Sequence, residues 1–573
     1  MKRNTLLRWH WGIVCLFVFG AANSVGDPQA TPSPVLQAMK AELTRSMESL
    51  KKQPVPPYFL SYEITETRTL GVSGAFGNLV SSGEESRRRQ LDIDLRVGSY
   101  ALDNTRPIRG DFGGFGVADR FSFVQVPIED DAAAIRGILW YNTDKRYKRA
   151  VEQLTRVKTN TQVKVAQEDK SNDFSTEQPE KFYEAPLQLS ADRRAWEEKI
   201  RRYTAPFAKF GDIYGADASF SANVETRWFV NSEGTEVQTS QAYYRLFVYA
   251  FTKAEDGMEL PRYLSYFSYT AEGLPGDEKV LKDVEKMIQD LQALRKAPVV
   301  EPYTGPAILT GRASGVFFHE VFGHRIEGHR QKSEEEGQTF KKKVNEKVLP
   351  ESFSVYFDPT VQRLGEIELV GSYRYDNQGV RARRVTAVDH GVFKSFLMSR
   401  TPIEGFSASN GHGRKQAGLA PVARQSNLVV EVAQKVSRAR LKEMLIAQIR
   451  KENKPFGLLF ADIAGGFTLT GRTFPNAFNV LPILVYRIFP DGREELVRGV
   501  DLIGTPLTAF SKIVAADDEV AVFSGICGAE SGGVPVSASS PGVLISQIEV
   551  QKKEKSQERP PLLSAPFEEK KRP

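Results

Sequence analysis

At 573 residues the chain is too long for one hydrophobic core and fits two or three domains. Its hydrophobic fraction of 41% and charged fraction of 26% are those of a soluble globular protein. The formal net charge of +6 falls to +3 (6 − 3) when Lys2, Arg3 and Arg8 are set aside with a leader; that is too weak to indicate nucleic acid, and no DNA- or RNA-binding signature is present.

Residues 1–24 read as a secretory signal: a basic start, an apolar run from Trp11 to Ala22, and small residues at Ala22 and Ser24. The run is about twelve residues, short of the ~20 that span a membrane, so no span is expected after its removal. The alternative is an uncleaved N-terminal anchor. The expected location is periplasmic or extracellular. Cys15 leaves with the signal, so the mature chain has Cys527 alone and can form no internal disulfide. A lone thiol in an exported protein is either a small buried hydrophobe or a ligand or nucleophile.

A mixed α/β domain is expected over 25–300. Leu36, Met39, Leu43, Met47 and Leu50 recur at helical spacing, and Pro56-Pro57 stops them. Strands are expected at 58–64 and 91–97, with a glycine- and serine-rich loop at 71–83. Helices follow near 130–157 and 190–210, around a polar segment at 159–178. Residues 225–231, 236–239 and 243–252 read as strands, with a hairpin turn at Asn231-Ser232-Glu233-Gly234. The glycine run at 113–116 lacks the spacing of a phosphate loop. A helix opens at Asp277 and ends before Pro298, and the proline-bearing stretch 297–306 is the expected domain boundary. Beyond it, 301–550 reads as β-rich, with candidate strands at 385–388, 391–398, 427–432, 480–489, 495–500 and 520–523 and one helix at 437–451. Many short strands suggest a barrel or sandwich. The fold class is therefore α+β, and the Lys-, Glu- and Pro-rich tail 551–573 is expected to be disordered.

Histidine is rare, yet three of the five outside the signal fall within eleven positions, at His319, His324 and His329. Imidazole is the commonest zinc ligand, and Glu320 beside one is placed as a general base. The spacing is H-E-x-x-x-H, not the H-E-x-x-H that aligns two histidines on one helical face. At about 100° per residue, positions i and i+5 lie roughly 140° apart, so both rings can meet one ion only if the helix distorts. A π-type turn yielding at Gly323 is one way to do this. His329, five residues beyond His324, is a rival ligand.

The segment from Thr310 through His319-Glu320-Val321-Phe322-Gly323-His324 to Gly328 resembles the metal-binding segment of the TldD/PmbA metallopeptidase family. The likeness continues in order through Tyr375–Gly379, Val388–Lys394, Asn410–Arg414, Gly465–Phe467 with Gly471–Phe474, and Gly525–Glu530 with Val534-Pro535-Val536. It is far weaker before Gly305. The resemblance implies that His319, His324 and Cys527 hold one zinc ion per chain, which gives the lone cysteine a purpose. Glu320 would then activate water to cleave a peptide bond without a covalent intermediate. Arg414, Gly465 and Gly466 are candidates for substrate contact; Glu327 and His329 for support of the ligands; Glu327 and His412 could also line the cleft. An extended peptide could add to the glycine-rich strands as an extra strand.

The expected function is a secreted zinc metallopeptidase acting on peptides or unfolded segments. A zinc hydrolase of a non-standard amide in cell-wall or modified peptides is the alternative. A non-catalytic assembly subunit is the third, although such a protein has no physical need of His319, Glu320, His324 and Cys527 together. Family members that work as related pairs imply a homodimer or a heterodimer with a related chain.

Overall fold

The apolar positions of residues 36–50 form helix α1 (Pro34–Leu50), whose first turn is closed by Ser33 Oγ accepting the Leu36 N–H at 3.3 Å. The structure, a computed structural model, describes residues 30–108, 124–163, 169–333, 335–472, 478–553, 558–563 and 565–566. The expected leader and the 113–116 glycine run lie outside these. Among the described residues no helix is long and apolar enough to cross a membrane.

The N-terminal strands are β1 (Pro57–Ala75), β2 (Asn78–Ser82), β3 (Ser86–Val97), β4 (Val124–Val126), β5 (Lys181–Tyr183), β6 (Gly215–Asn231), β7 (Glu236–Lys253) and β8 (Glu259–Ser268). They form one sheet in the order β4-β3-β1-β6-β7-β5, with β2 added to β1 and β8 to β7. Alternation decides which face is buried. Leu60, Tyr62, Ile64, Leu70 and Val72 of β1 and the even-numbered residues from Ala216 to Val230 of β6 point to one side. There they meet α1, α2 (Ala132–Val163), α3 (Arg193–Thr204) and α4 (Asp277–Lys296). The opposite face is polar and looks toward the second domain.

Two expectations fail here. The loop at 71–83 is a hairpin: Val72 pairs with Ser82, and Phe76 and Gly77 turn the chain with positive φ. Its glycines and serines signalled a turn but hid that Leu70 and Val72 continue the alternation of β1. The polar start of the 159–178 segment is helical, since α2 runs on to Val163.

The second domain contains β9 (Tyr303–Leu309), α5 (Gly311–Val321), β10 (Phe353–Phe357), β11 (Val385–Asp389), β12 (Asn427–Val432), α6 (Arg438–Lys451), β13 (Gly457–Thr468), β14 (Phe478–Ile488), β15 (Val500–Gly504), β16 (Ile513–Ala529) and β17 (Gly532–Lys552). Strands β9, β13, β14, β15 and β17 pair in sequence, and β17 pairs back to β9, closing a five-stranded barrel. This settles the barrel-or-sandwich expectation. Strand β12 joins β17 in parallel and carries β10 and β11 outward. The expected strand at 391–398 shrinks to Val392–Phe393, because the chain turns at Gly391 and Leu397 donates instead to Ile326 O. The expected strand at 520–523 is the middle of the much longer β16, whose charged run Asp517–Glu519 disguised it. The domains are tied by ion pairs: Lys415 reaches Glu63 at 2.8 Å, Arg262 reaches Asp462 at 2.9 Å, and Arg400 reaches Glu233 at 2.7 Å.

Candidate metal centre

Every residue of helix α5 but Arg312 is buried, and its small residues make that possible. A Cβ added to Gly311 or Gly315 would lie 2.6 Å from the carbonyl oxygens of Ser540 and Ala538 respectively. These glycines, one turn apart, let the helix backbone rest directly on β17. Ser314 Oγ and Ser540 Oγ, 2.8 Å apart, lock the contact, while Phe317 and Phe318 enter the core. The last turn of α5 then presents His319 and Glu320 inside the domain.

The geometric problem posed by H-E-x-x-x-H is solved by stopping the helix. Helix α5 ends at Val321, Phe322 takes φ −117°, and Gly323–Ile326 form a 3₁₀ turn. A π-type turn is not used; the tighter winding after the break swings His324 back toward His319. Gly323 is required for another reason as well. A Cβ there would lie 2.0 Å from Gln425 Oε1, and the Gln425 amide donates to His319 O at 3.3 Å.

The His319 and His324 rings meet nearly edge to face with centroids 4.9 Å apart. Cys527 arrives from β16, two hundred residues later, and its Sγ lies 3.3 Å from His324 Nε2. One donor atom from each of His319, His324 and Cys527 lies within 4.8 Å of the others, and all three residues are buried. Glu320 Oε2 lies 3.9 Å from His324 Nε2, buried and without a hydrogen-bond partner. Above it, a Cβ on Gly466 would lie 2.7 Å from Glu320 Cγ, so the glycine keeps space beside the carboxylate.

This donor set fits a soft or borderline divalent metal: two imidazoles and a thiolate suit zinc rather than magnesium or calcium. Burial alone would push the Cys527 thiol up, but His324 and His319 outweigh it and hold it well below its usual value. Burial likewise raises Glu320, against the pull of the two histidines. Three inward donors and a buried acceptor without a partner converge on one point.

A charged scaffold behind the donors was not anticipated in full. His324 Nδ1 donates to Glu327 Oε2 at 3.3 Å, which leaves Nε2 to face the other donors. Glu327 is fully buried. Burial opposes its charge, yet His324, Arg330 and Arg424 hold its carboxyl down to about 2. Arg424, also fully buried, donates to Cys527 Sγ at 3.2 Å and Cys527 O at 2.6 Å, and approaches Glu327 Oε1 at 3.5 Å. One guanidinium thus touches one donor residue directly and another through Glu327. No sequence signal short of the fold marks Arg424, because it comes from the loop before β12.

His329 is not part of the cluster: its Nε2 pairs with Glu530, which Arg330 also holds at 2.9 Å. His412 is fully buried against Ser426 Oγ at 3.1 Å, so neither it nor Glu327 lines a cleft. Arg414 lines a cleft between the domains, outside the donor cluster. Gly465 lies on β13 with φ +154°, and the far edge of that strand pairs with β9 over Leu458–Phe460.

Residues 302–552 match the sequence profile of the PmbA/TldA metallopeptidase C-terminal domain. A metalloprotease from Archaeoglobus fulgidus is 30% identical over 271 residues, 47% of this chain and 57% of the relative. One from Methanothermobacter thermautotrophicus is 27% identical over 327 residues, 55% of this chain and 65% of the relative. A metalloprotease TldD homolog from Haemophilus influenzae is 24% identical over 250 residues, 43% of this chain and 48% of the relative. The chain therefore spans about half to two thirds of the length of these relatives. Among solved structures, TldE from Thermococcus kodakarensis superposes with TM-score 0.56 at 14% identity, over 90% of this chain and 100% of that one. A Thermotoga maritima protein described as a modulator of a DNA gyrase gives TM-score 0.56 at 17% identity, over 89% and 99%. Both share the fold.

Proposed function

We propose that the protein is a zinc-dependent peptidase, with His319, His324 and Cys527 holding the ion and Glu320 acting as general base. The observation that carries this reading is the convergence of three buried donors within 4.8 Å beside a buried carboxylate oxygen with no partner. The metalloprotease names of its relatives support it. Bound zinc would polarise the scissile carbonyl and ease water ionisation near neutral pH.

The chain's own groups account for the proton. Glu320 Oε2 accepts it from the attacking water and returns it to the leaving amine. Glu327 fixes His324 in the tautomer that leaves Nε2 free, and Arg424 holds the thiolate side of the site. The open side beside Gly466 is where an extended peptide would lie along β13. The test is hydrolysis of a mixed peptide library. Glu320→Gln should retain metal and lose at least about a hundredfold in rate, the scale of general-base removal; unchanged hydrolysis would overturn the assignment.

We also infer export, supported by the signal pattern of residues 1–24, so that the substrates would be envelope or external peptides. N-terminal sequencing of the mature protein tests this. Assembly as a homodimer or with a related chain belongs to the same reading; light scattering that shows monomer alone would remove it.

A further inference from the structure

The polar face of the N-terminal sheet forms one wall of a cleft of about 2090 Å³. Register places Thr65 opposite Arg227, which is opposite Thr239, and Thr67 opposite Glu225, which is opposite Gln241. Directly opposite residues share a face, so these side chains form one continuous polar floor. The other wall is the metal-binding domain, through Tyr373–Asn377, Arg414–Leu419 and Gly533–Pro535. Val534 is paired opposite Cys527 and packs against it, so the cleft closes on the face of the β16–β17 hairpin that carries the thiol.

Within this cleft Glu225 stands out. The charged groups acting on it are Arg227, Glu63, Lys415 and Arg414, and the three cations are engaged elsewhere. Arg227 donates to Tyr375 O at 2.5 Å. Lys415 is held by Glu63 and Asp92, and Arg414 donates to Gln425 O at 2.5 Å while lying over the Tyr373 ring at 4.6 Å. Glu225 itself makes no hydrogen bond or ion pair with any described residue, and its side chain is open to the cleft, although the protein walls around it still raise its pKa. Asp376, the next carboxylate along the wall, is satisfied by the backbone N–H groups of Gln378, Val380 and Gly413. Arg227, Arg414 and Lys415 are thus spent on other partners, which leaves the Glu225 carboxylate without a counter-ion among them. Tyr243 and Tyr373 add aromatic surface to the same cleft. An unpaired carboxylate in a cleft that also carries aromatic rings suits an ammonium or guanidinium group.

We propose that this interdomain cleft is a peptide-binding subsite in which Glu225 pairs with a basic side chain of the substrate. The volume exceeds the roughly 300–1,000 Å³ of drug-sized ligand sites, as a peptide segment requires. The proposal rests on the peptidase reading and adds a preference for lysine or arginine at a position held between the domains.

The test is fluorescence anisotropy with the full-length protein in the Glu320→Gln background, which halts hydrolysis. The probes are a fluorescein-labelled ten-residue Gly/Ser peptide with one central lysine, and the same peptide with norleucine or glutamate in its place. The lysine probe should bind about tenfold more tightly than the norleucine probe, equivalent to about 1.4 kcal/mol. Glu225→Gln, which is isosteric, should bring the two within about twofold while leaving the thermal unfolding midpoint unchanged. Equal binding of all probes, tighter binding of the glutamate probe, or a lysine preference that survives Glu225→Gln would overturn the proposal. The two readings separate cleanly: Glu225-dependent binding of a lysine probe that protein with Glu320 intact never cleaves would contradict the peptidase function and leave the cleft standing.

Discussion

At the scale of single residues, the site is built in two layers, and the inner one was the more legible. His319, Glu320 and His324 stand in one short run, and Cys527 is conspicuous because the sequence holds only two cysteines. Spacing alone left His329 as a rival; the structure turns that ring to Glu530. Arg424 was invisible because nothing local distinguishes a buried arginine from a surface one. Its burial, and its contacts to Cys527 and Glu327, exist only once the barrel and β12 are assembled. Loss of an outer partner of this kind typically weakens metal affinity 10- to 100-fold. Arg424→Met should therefore raise the zinc dissociation constant by roughly that factor in a chelator competition, and Arg424→Lys should recover part of the loss. An unchanged constant in Arg424→Met would show the guanidinium to be structural only.

At the scale of elements, the decisive feature is where α5 stops. Sequence periodicity fixed the need for a distortion between His319 and His324 but not its form. A π-turn and a helix break satisfy the same spacing, and only the packing of Phe322 and Gln425 selects the break. The helix itself depends on Gly311 and Gly315, which read in sequence as helix-weakening residues but are the contact surface for β17. Gly315→Val would drive a side chain into the Ala538 carbonyl of a barrel strand that cannot retreat. The expected cost is about 1–3 kcal/mol, the range for overpacking, measured as a lower urea midpoint with a parallel loss of bound metal. A variant as stable as wild type would mean that the helix does not sit on the strand as described. The strands of this domain were only partly legible for a related reason: the charged run Asp517–Glu519 breaks the pattern of β16, yet the strand continues through it with an irregular register.

At the scale of the molecule, two domains are joined by buried charge and polar contact, and the second also buries a neutral imidazole that makes its stability depend on acid. His412 is buried between Asn410 and Ser426. Burial holds it down to about 3, with the Asn410 carbonyl opposing and Arg414 assisting. Its folded pKa lies below the unfolded value of about 6.5, so the unfolded chain binds the extra proton between pH 6.5 and 3. The stability from keeping it neutral is complete above pH 6.5 and falls as pH drops through that window, by about 1.4 kcal/mol per unit. Urea denaturation from pH 7 to pH 5 should show this slope, and His412→Gln should flatten it. A slope unaffected by the substitution would assign the acid sensitivity elsewhere. The plan of an α/β part followed by a β-rich part was readable from the strand patterns, whereas barrel and sandwich stayed open until the closure of β17 on β9 decided between them. The cleft between the domains was not, since its walls come from strands far apart in the chain.

The central claim is that three side chains separated by two hundred residues form one metal site, and its most direct test is zinc per chain by elemental analysis. Wild-type protein should carry about one zinc, and Cys527→Ala should lose most of it, as expected when one of three protein ligands is removed. Full occupancy in Cys527→Ala would contradict the account, because the pair His319 and His324 would then hold the ion without the thiolate that the fold delivers.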